Sequence, residues 1–213
     1  MGRREEKKAE ARQRISNVAT KLFLEKGFDS VSVAEVAAAA HVSTMTVFNY
    51  FPRKEDLLLD RGDEARALVC AAVLERARGR SVVDAVLDAA ERLVAEVHSF
   101  TKWTVQTEDY FRMVNESPSL LGRVRELREQ VETELDTALR ATTGAPEDDA
   151  IAQILAVSIV AAWRAAHRTA TSAWHAGKRG DAVGKVFLRA LDEALEPVRR
   201  AARGTPYDGT VGW

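Results

Sequence analysis

Residues 31–58 read VSVAEVAAAAHVSTMTVFNYFPRKEDLL, and this stretch decides the fold. It predicts two short helices joined by a tight turn. The second helix carries polar and aromatic side chains beyond those that its packing requires. This arrangement is typical of a helix-turn-helix whose second helix enters a DNA major groove. We therefore expect the chain to bind DNA.

The ends of both helices follow from capping rules. Ser32 and Glu35 have the spacing of a capping box, in which each side chain bonds the backbone N–H of the other residue. Ser43 can cap the second helix by accepting a backbone hydrogen bond. Pro52 ends that helix, because its ring and its missing N–H interrupt the helical hydrogen bonds.

The second helix has a core face and an outer face. Val47 and Phe51 are four residues apart, so they share one side and are expected in the core. An alternative interpretation is a capped helix hairpin within an ordinary helical bundle, in which Phe48 and Tyr50 would be packing residues.

Residues 15–58 resemble the N-terminal DNA-binding domain of the TetR family of bacterial transcriptional regulators. About forty-five positions with fixed internal spacing carry the resemblance, which makes it far more specific than a short motif. The matching residues are Ile15, Ala19, Leu22, Phe23, Gly27, Phe28, Ser32, Val33, Glu35, Val36, Ala37, Val42, Ser43, Thr46, Val47, Phe48, Tyr50, Phe51, Lys54, Glu55, Asp56 and Leu57. The rest of the chain matches the family only in its helical character and length.

Two departures from the family pattern matter, at His41 and Phe48. His41 stands at the turn, where the family usually has glycine; histidine is among the residues that visit positive φ. Phe48 stands where tyrosine is more usual, so a hydroxyl is missing while the ring remains for a thymine methyl. Tyr50, where histidine is common, can replace that phosphate donor.

The resemblance implies a division of labour among the DNA contacts. Base edges would be contacted by Thr44, Met45, Phe48 and Asn49, with the Asn49 amide suited to an adenine edge. Phosphates would be contacted by Ser43, Thr46, Tyr50 and Lys54, and by the N-terminus of the first helix near Ser32.

Charge is distributed unevenly along the chain. Residues 1–54 hold ten basic and six acidic side chains, so this part has a net charge of +4 and the remainder −5, within a total of −1. A basic N-terminal part followed by an acidic remainder suits a protein that contacts phosphates through its N-terminal part alone. The first basic residues form either a DNA-binding arm or a solvated helix start that pairs with Glu5, Glu6 and Glu10; these residues are Arg3, Arg4, Lys7 and Lys8.

Helical periodicity continues through the rest of the 213 residues. We therefore expect an all-α fold of about nine helices. The three-helix head is expected over 8–60, and a larger helical body for ligand binding and dimerisation over 61–203. Residues 204–213, GTPYDGTVGW, lack periodicity and are expected to form a flexible tail.

Two helices near the C-terminus are candidates for a homodimer interface. Residues 150–176 are apolar nearly all round, so that helix must be covered on most faces. Residues 182–203 carry a single apolar stripe. Both helices can pack against the same pair from a second copy, or simply complete the core of one chain. The TetR resemblance implies the dimer, because paired recognition helices need two-fold symmetry.

Aromatic side chains in the body indicate a small-molecule site. One group lies before and within a loose aromatic segment over 103–113, and another recurs on one face of the helix at 150–176. Apolar cavities with a few polar groups are the usual small-ligand sites. The alternative is that these side chains are core or dimer residues. The candidates are Phe100, Trp103, Tyr110, Phe111, Trp163, His167, Thr171 and Trp174.

Other functions lack a sequence signature. We find no P-loop, glycine-rich dinucleotide turn, HExxH motif or nucleophile elbow, and the histidines show no pairing at metal-ligand spacing, so we expect no enzyme, metal or cofactor. The single cysteine, Cys70, excludes an internal disulfide. No apolar run approaches a transmembrane length and no signal peptide is evident, so we expect a cytoplasmic protein.

Together these features predict a ligand-responsive transcriptional regulator. It would be a repressor that binds a palindromic operator as a dimer and is released by a small apolar or aromatic effector. The alternative is an all-helical interaction protein without sequence-specific DNA binding.

Overall fold

The computed structural model describes residues 3–209, except for the side chains of Arg3 and Arg4. Within that range every regular element is helical, which confirms the all-α prediction. Short 3-10 turns lie at Glu55–Leu57 and Ser99–Thr101. The α-helices are α1 Arg3–Lys26, α2 Val33–Ala39, α3 Thr44–Tyr50, α4 Gly62–Leu74, α5 Val82–Ala95, α6 Val105–Glu116, α7 Pro118–Ala141, α8 Ala150–His175 and α9 Asp181–Ala202.

The chain divides into two compact units. The head unit comprises residues up to Gly62 together with Val105–Glu126. The body unit comprises Asp63–Thr104 together with the residues from Leu127 onward. The sequence placed the whole of 61–203 in the body, so the assignment of α6 and the start of α7 to the head unit is a difference from expectation.

Apolar burial explains why that segment belongs to the head unit. Val114 of α6 and Leu120 of α7 are 6% and 0% exposed, within the same core as the helix-turn-helix. The Arg123 guanidinium also donates to Asp56 at 2.8 Å, in an ion pair whose side chains are each 16% exposed. Sequence periodicity could not show these contacts, because the partners lie more than sixty residues apart.

The body core is built around α8 and α9. Gly184 permits close packing of α9 on α5, because a Cβ at this position would lie 2.7 Å from Val94 Cγ1. The apolar stripe of α9 is buried within its own chain, so it is not available as the dimer surface considered for 182–203. Its members are Val183, Phe187, Leu191, Leu195 and Val198.

Helix α8 contradicts the expectation that no apolar run is long enough for a membrane span. In the described part of the chain, this 26-residue helix could cross a membrane by length and composition alone. Its buried side chains, Leu155 and Ile159 among them, pack in the body core, and Arg164 and Arg168 are exposed. A core helix covered on most faces has the same composition.

The segment after α9 is not the flexible tail predicted for 204–213. Tyr207 is 1% exposed, its hydroxyl donates to Asp149 Oδ2 at 2.5 Å, and its carbonyl accepts from Val82 N at 3.0 Å. Burial and the Asp149 carboxylate raise the pKa of Tyr207 to about 12. Residues 204–209 are therefore part of the body unit, and residues 210–213 lie outside the described residues.

Tyr207 should contribute measurably to body stability. We expect Tyr207→Ala to lower the free energy of unfolding by about 3–5 kcal/mol, because it removes a buried ring. Tyr207→Phe should lower it by about 1–3 kcal/mol, because it removes the hydroxyl that donates to Asp149 Oδ2. Urea unfolding at a fixed protein concentration measures both. Leu74→Ala, at a side chain that is 52% exposed, is the control; equal stabilities for all three variants would mean that the tail is loose.

Candidate DNA-binding surface and ligand site

The turn between α2 and α3 is tight and takes its shape from His41. This residue has φ 55°, the left-handed conformation expected at the turn. Val42 N donates to Ala37 O at 3.0 Å, and His41 N donates to Ala38 O at 3.1 Å. These bonds close the end of α2 and direct the chain into α3.

Both helices of the motif have the side-chain caps that the sequence predicted. Ser32 N donates to Glu35 Oε2 at 2.8 Å, and Glu35 N donates to Ser32 Oγ at 3.2 Å, which completes the capping box. Hydrogen bonds from Ser32 lower the pKa of the Glu35 carboxyl. Ser43 Oγ accepts from Thr46 N at 3.0 Å and shares a 2.8 Å hydrogen bond with Thr46 Oγ1.

The outer face of α3 displays the residues assigned to base edges. Met45 and Phe48 are 70% and 45% exposed, and Thr44 and Asn49 are exposed beside them. On the opposite face Val47 is fully buried. Large apolar side chains that remain exposed on a short helix indicate a contact surface rather than a core. We call Thr44, Met45, Phe48 and Asn49 the recognition face.

The flanking phosphate candidates are less uniform. Ser32 and Ser43 are exposed, whereas Thr46 and Tyr50 are half-buried, with Tyr50 packed against the head core. The Lys54 ammonium donates to Phe28 O at 2.7 Å and lies 4.3 Å from the centre of the Phe28 ring. Lys54 therefore has a structural role in the head that the sequence did not reveal, and its phosphate contact stays a prediction.

Residues before the motif also hold the head together. The Arg12 guanidinium donates to Asp60 O at 3.2 Å and lies 4.8 Å from the centre of the Phe51 ring. Ser16 Oγ donates to Asp60 Oδ2 at 2.5 Å. Lys7 and Lys8 are exposed on α1, whereas the side chains of Arg3 and Arg4 lie outside the described residues. A helix that starts at Arg3 fits the helix-start interpretation better than an extended arm.

Part of the predicted ligand set comes together in the body unit. The Trp103 indole N–H donates to Thr171 Oγ1 at 3.3 Å, and its ring centre lies 5.2 Å from that of His167. The Phe187 ring of α9 lies beside them, with its centre 5.6 Å from that of Trp103 and 4.9 Å from that of Trp163. We call Trp103, Trp163, His167, Thr171 and Phe187 the Trp103 cluster. The sequence missed Phe187 as a site residue because it is one member of the regular α9 stripe.

The other predicted ligand residues are placed elsewhere. Tyr110 and Phe111 are on α6 in the head unit, with ring centres 5.4 Å apart, and burial raises the pKa of Tyr110. Phe100 contacts the His98 ring at 5.0 Å. The Arg179 guanidinium stacks on Trp174 at 4.0 Å. Tyr110 and Phe111 therefore belong to the other unit, whereas Trp174 packs against the same body core as Trp103.

His167 gives the Trp103 cluster its electrostatic character. Burial lowers the pKa of His167 to about 4 from the ordinary value of 6.5. The imidazole is therefore neutral at physiological pH. Thr171 Oγ1 donates to the His167 carbonyl at 2.9 Å, so the cluster presents a ring, a hydroxyl oxygen and a neutral imidazole.

Comparisons with known proteins agree with this architecture. The family described as bacterial regulatory proteins, tetR family, matches residues 15–60. The regulator TcmR of Streptomyces glaucescens is 25% identical over 93% of this chain and 87% of its own length. The regulator HbdR of Aromatoleum sp. (strain CIB) is 41% identical, over 23% of this chain and 21% of its own length.

Solved structures share the fold over most of the chain. A putative TetR-family regulator from Mesorhizobium loti MAFF303099 gives a TM-score of 0.52 at 18% identity, covering 88% of this chain and 96% of its own. SmeT, in its triclosan complex, gives 0.56 at 13% identity, covering 88% and 90%.

A helix-turn-helix head on an all-helical body is the architecture of a DNA-binding transcriptional regulator. Residues 15–60 match the DNA-binding domain of the bacterial regulatory proteins of the tetR family, and the whole chain is similar in sequence to one such regulator, TcmR.

The buried neutral His167 should make stability depend on pH. Its pKa is lower in the folded than in the unfolded chain, so stability is full above pH 6.5 and falls as the pH drops towards about 4. Between pH 6.5 and about 4, the unfolding free energy of His167→Gln should therefore fall by on the order of 3 kcal/mol less than that of the unaltered protein. Urea unfolding across the window measures it. His175→Gln, at an exposed histidine of the same helix, is the control, and an equal change of slope there would contradict the assignment.

Proposed function

We propose that this protein is a cytoplasmic, ligand-responsive repressor that binds a palindromic operator as a homodimer and is released by a small apolar or aromatic effector. It acts through binding equilibria, without a catalytic step or a bound cofactor. The observation that carries the proposal is the recognition face of α3, which stays exposed while Val47 and Phe51 are buried behind it.

DNA recognition follows from the chemistry of that face. The Asn49 amide can make paired hydrogen bonds with an adenine edge, and Met45 and Phe48 can contact thymine methyls. Ser43 and Tyr50 flank these side chains and can donate to phosphates, which fixes the register of the helix in the groove. The contact requires two copies at a separation of about one helical turn of DNA.

An exposed part of α8 supports a dimer interface. Ile154 and Val157 are 53% and 50% exposed, three residues apart on one side of the helix, with the exposed Ala161 following. Because the apolar stripe of α9 is already buried, α8 would supply the apolar part of the contact and α9 would contribute its remaining surface. The proposed interface is therefore formed mainly by α8, whereas the sequence assigned it to residues 150–176 and 182–203 together.

An effector site is supported by the Trp103 cluster in the body unit. Aromatic rings from α8, α9 and the segment before α6 meet there around a few polar atoms, which is the usual composition of a small-ligand site. Effector binding releases the operator only if the effector binds the released state more tightly than the DNA-bound state.

Two substitutions separate base recognition from phosphate contact. Asn49→Ala should lower operator affinity by about 1–3 kcal/mol and relax base preference at one position of each half-site. Tyr50→Phe should instead weaken binding to operator and random DNA alike, because it removes a phosphate contact. Fluorescence anisotropy with operator selected from a random DNA pool measures both.

The control for these variants is Leu24→Ala, at a side chain that is 40% exposed on α1. It should leave DNA affinity unchanged. If the unaltered protein shows no sequence-selective, salt-sensitive binding, the protein is the all-helical interaction module of the alternative interpretation.

The dimer proposal has its own test. Val157→Glu should convert the dimer to a monomer in analytical ultracentrifugation, because it places a carboxylate in the proposed apolar contact. Val105→Glu introduces the same charge at a side chain that is 62% exposed at the start of α6, and it should leave the dimer intact. A monomeric unaltered protein, or a Val157→Glu dimer of full stability, would refute this interface.

A further inference from the structure

Trp103 occupies an unusual position in the chain. It lies in the non-helical segment 102–104, between the Ser99–Thr101 turn and the first residue of α6, Val105. Its indole is nevertheless packed against the body core. The ring lies against His167 of α8 and Phe187 of α9, and its N–H donates to Thr171.

These contacts are of the kind that a bound aromatic ligand would make. Two rings flank the indole at tilts of 36° and 48°, and one polar atom fixes its orientation. Trp103 belongs to no helix of the described residues, so its indole can leave these contacts while the helical hydrogen bonds stay intact. A free molecule of similar shape can therefore compete for the same contacts without breaking a helix.

We propose that Trp103 is the built-in occupant of the effector site, and that the effector is an uncharged planar aromatic compound with an N–H or O–H donor that displaces the indole. This inference rests on the proposed function, since it names the ligand class and the side chain that the ligand replaces.

The requirement for a donor comes from Thr171. Its hydroxyl hydrogen is directed to the His167 carbonyl at 2.9 Å, so its oxygen is left to accept from the indole N–H. A ligand in the place of the indole must donate to the same oxygen. A planar compound without a donor would lose this hydrogen bond to Thr171 Oγ1, which costs affinity.

The requirement for neutrality comes from the same neighbours. Phe187, Thr171 and the neutral His167 ring carry no charge that could pair with an ionised ligand. A carboxylate bound against them would lose its hydration without gaining a counter-charge, and this loss is far larger than the gain from ring contacts.

Displacement of Trp103 has a direct consequence for α6, because only Thr104 separates the two along the chain. Helix α6 packs in the head unit through Val114 and Tyr110. Loss of the indole anchor frees the segment that leads into this helix. For a ligand that must first expel Trp103, the apparent Kd equals the intrinsic Kd divided by the fraction of molecules in which the indole is undocked.

Three probes of matched shape test the ligand class on the full-length protein. Indole has the ring and donor of Trp103, benzothiophene has the shape without the donor, and indole carboxylate adds a charge. We expect Trp103→Ala to bind indole about tenfold more tightly than the unaltered protein, measured by calorimetry. Affinity should fall from indole to benzothiophene and again to indole carboxylate. Thr171→Val should abolish the preference for indole over benzothiophene.

Operator affinity shows whether Trp103 is coupled to DNA binding or is only a packing residue. Trp103→Ala should weaken operator affinity about fivefold or more without any probe, because the anchor is already lost. Val105→Ala, an exposed side chain two residues away, should leave operator affinity unchanged. If Trp103→Ala does not fold, Trp103→Phe, which keeps the ring and loses the donor, should show the same change in smaller measure.

Two results would overturn the inference while the proposed function stands. One is full operator affinity in the folded Trp103 variants, and the other is indole carboxylate binding as tightly as indole. In either case the unaltered protein would still bind its operator selectively. Failure of the proposed function itself would appear as the absence of selective DNA binding before any substitution is made.

Discussion

Val47 and Phe51 attach α3 to the head core, with exposed fractions of 0% and 1%, and the orientation of each predicted base-contacting side chain depends on that attachment. A helix of seven residues is too short to be stable alone, so its rotation about its own axis is set by what it buries. Burying each of these two side chains is worth about 1.5–3 kcal/mol, and this burial fixes the side of α3 that faces the core. The caps at Ser32 and Ser43 and the left-handed turn at His41 then fix where the two helices begin and end.

Several cations of the head stabilise the motif rather than simply adding positive charge to its surface. Lys54 is bound to the Phe28 carbonyl, Arg12 to the Asp60 carbonyl, and Arg123 to the Asp56 carboxylate. Because Lys54 and Arg12 are engaged within the head, the net charge of +4 over residues 1–54 overstates the charge that is free to meet phosphates. Neutral donors such as Ser43 and Tyr50, and the exposed lysines of α1, have a correspondingly larger part in the proposed DNA contact.

Local rules predicted the head motif well and long-range packing poorly. The capping box, the turn at His41 and the buried pair on α3 each depend on residues within four positions of one another, and the structure has all three. The placement of Val114 and Leu120 in the head core, and the burial of Tyr207, depend on contacts between distant parts of the chain that no periodicity encodes. The predicted ligand residues are divided between the two units for the same reason. Phe187 contacts both Trp103 and Trp163, and His167 contacts Trp103, whereas Tyr110 and Phe111 are on a helix that packs with the head.

Oxidation of Met45 tests the central claim most directly, because this side chain is 70% exposed at the centre of the recognition face. The protein would be treated with dilute peroxide, free and with saturating selected operator, and sulfoxide formation followed by mass spectrometry, with Met113 of the head unit as the internal reference. Operator should slow oxidation of Met45 about tenfold or more, as expected for a side chain buried in a specific interface, and leave Met113 unchanged. An unchanged rate at Met45 on fully bound operator would show that α3 does not enter the groove.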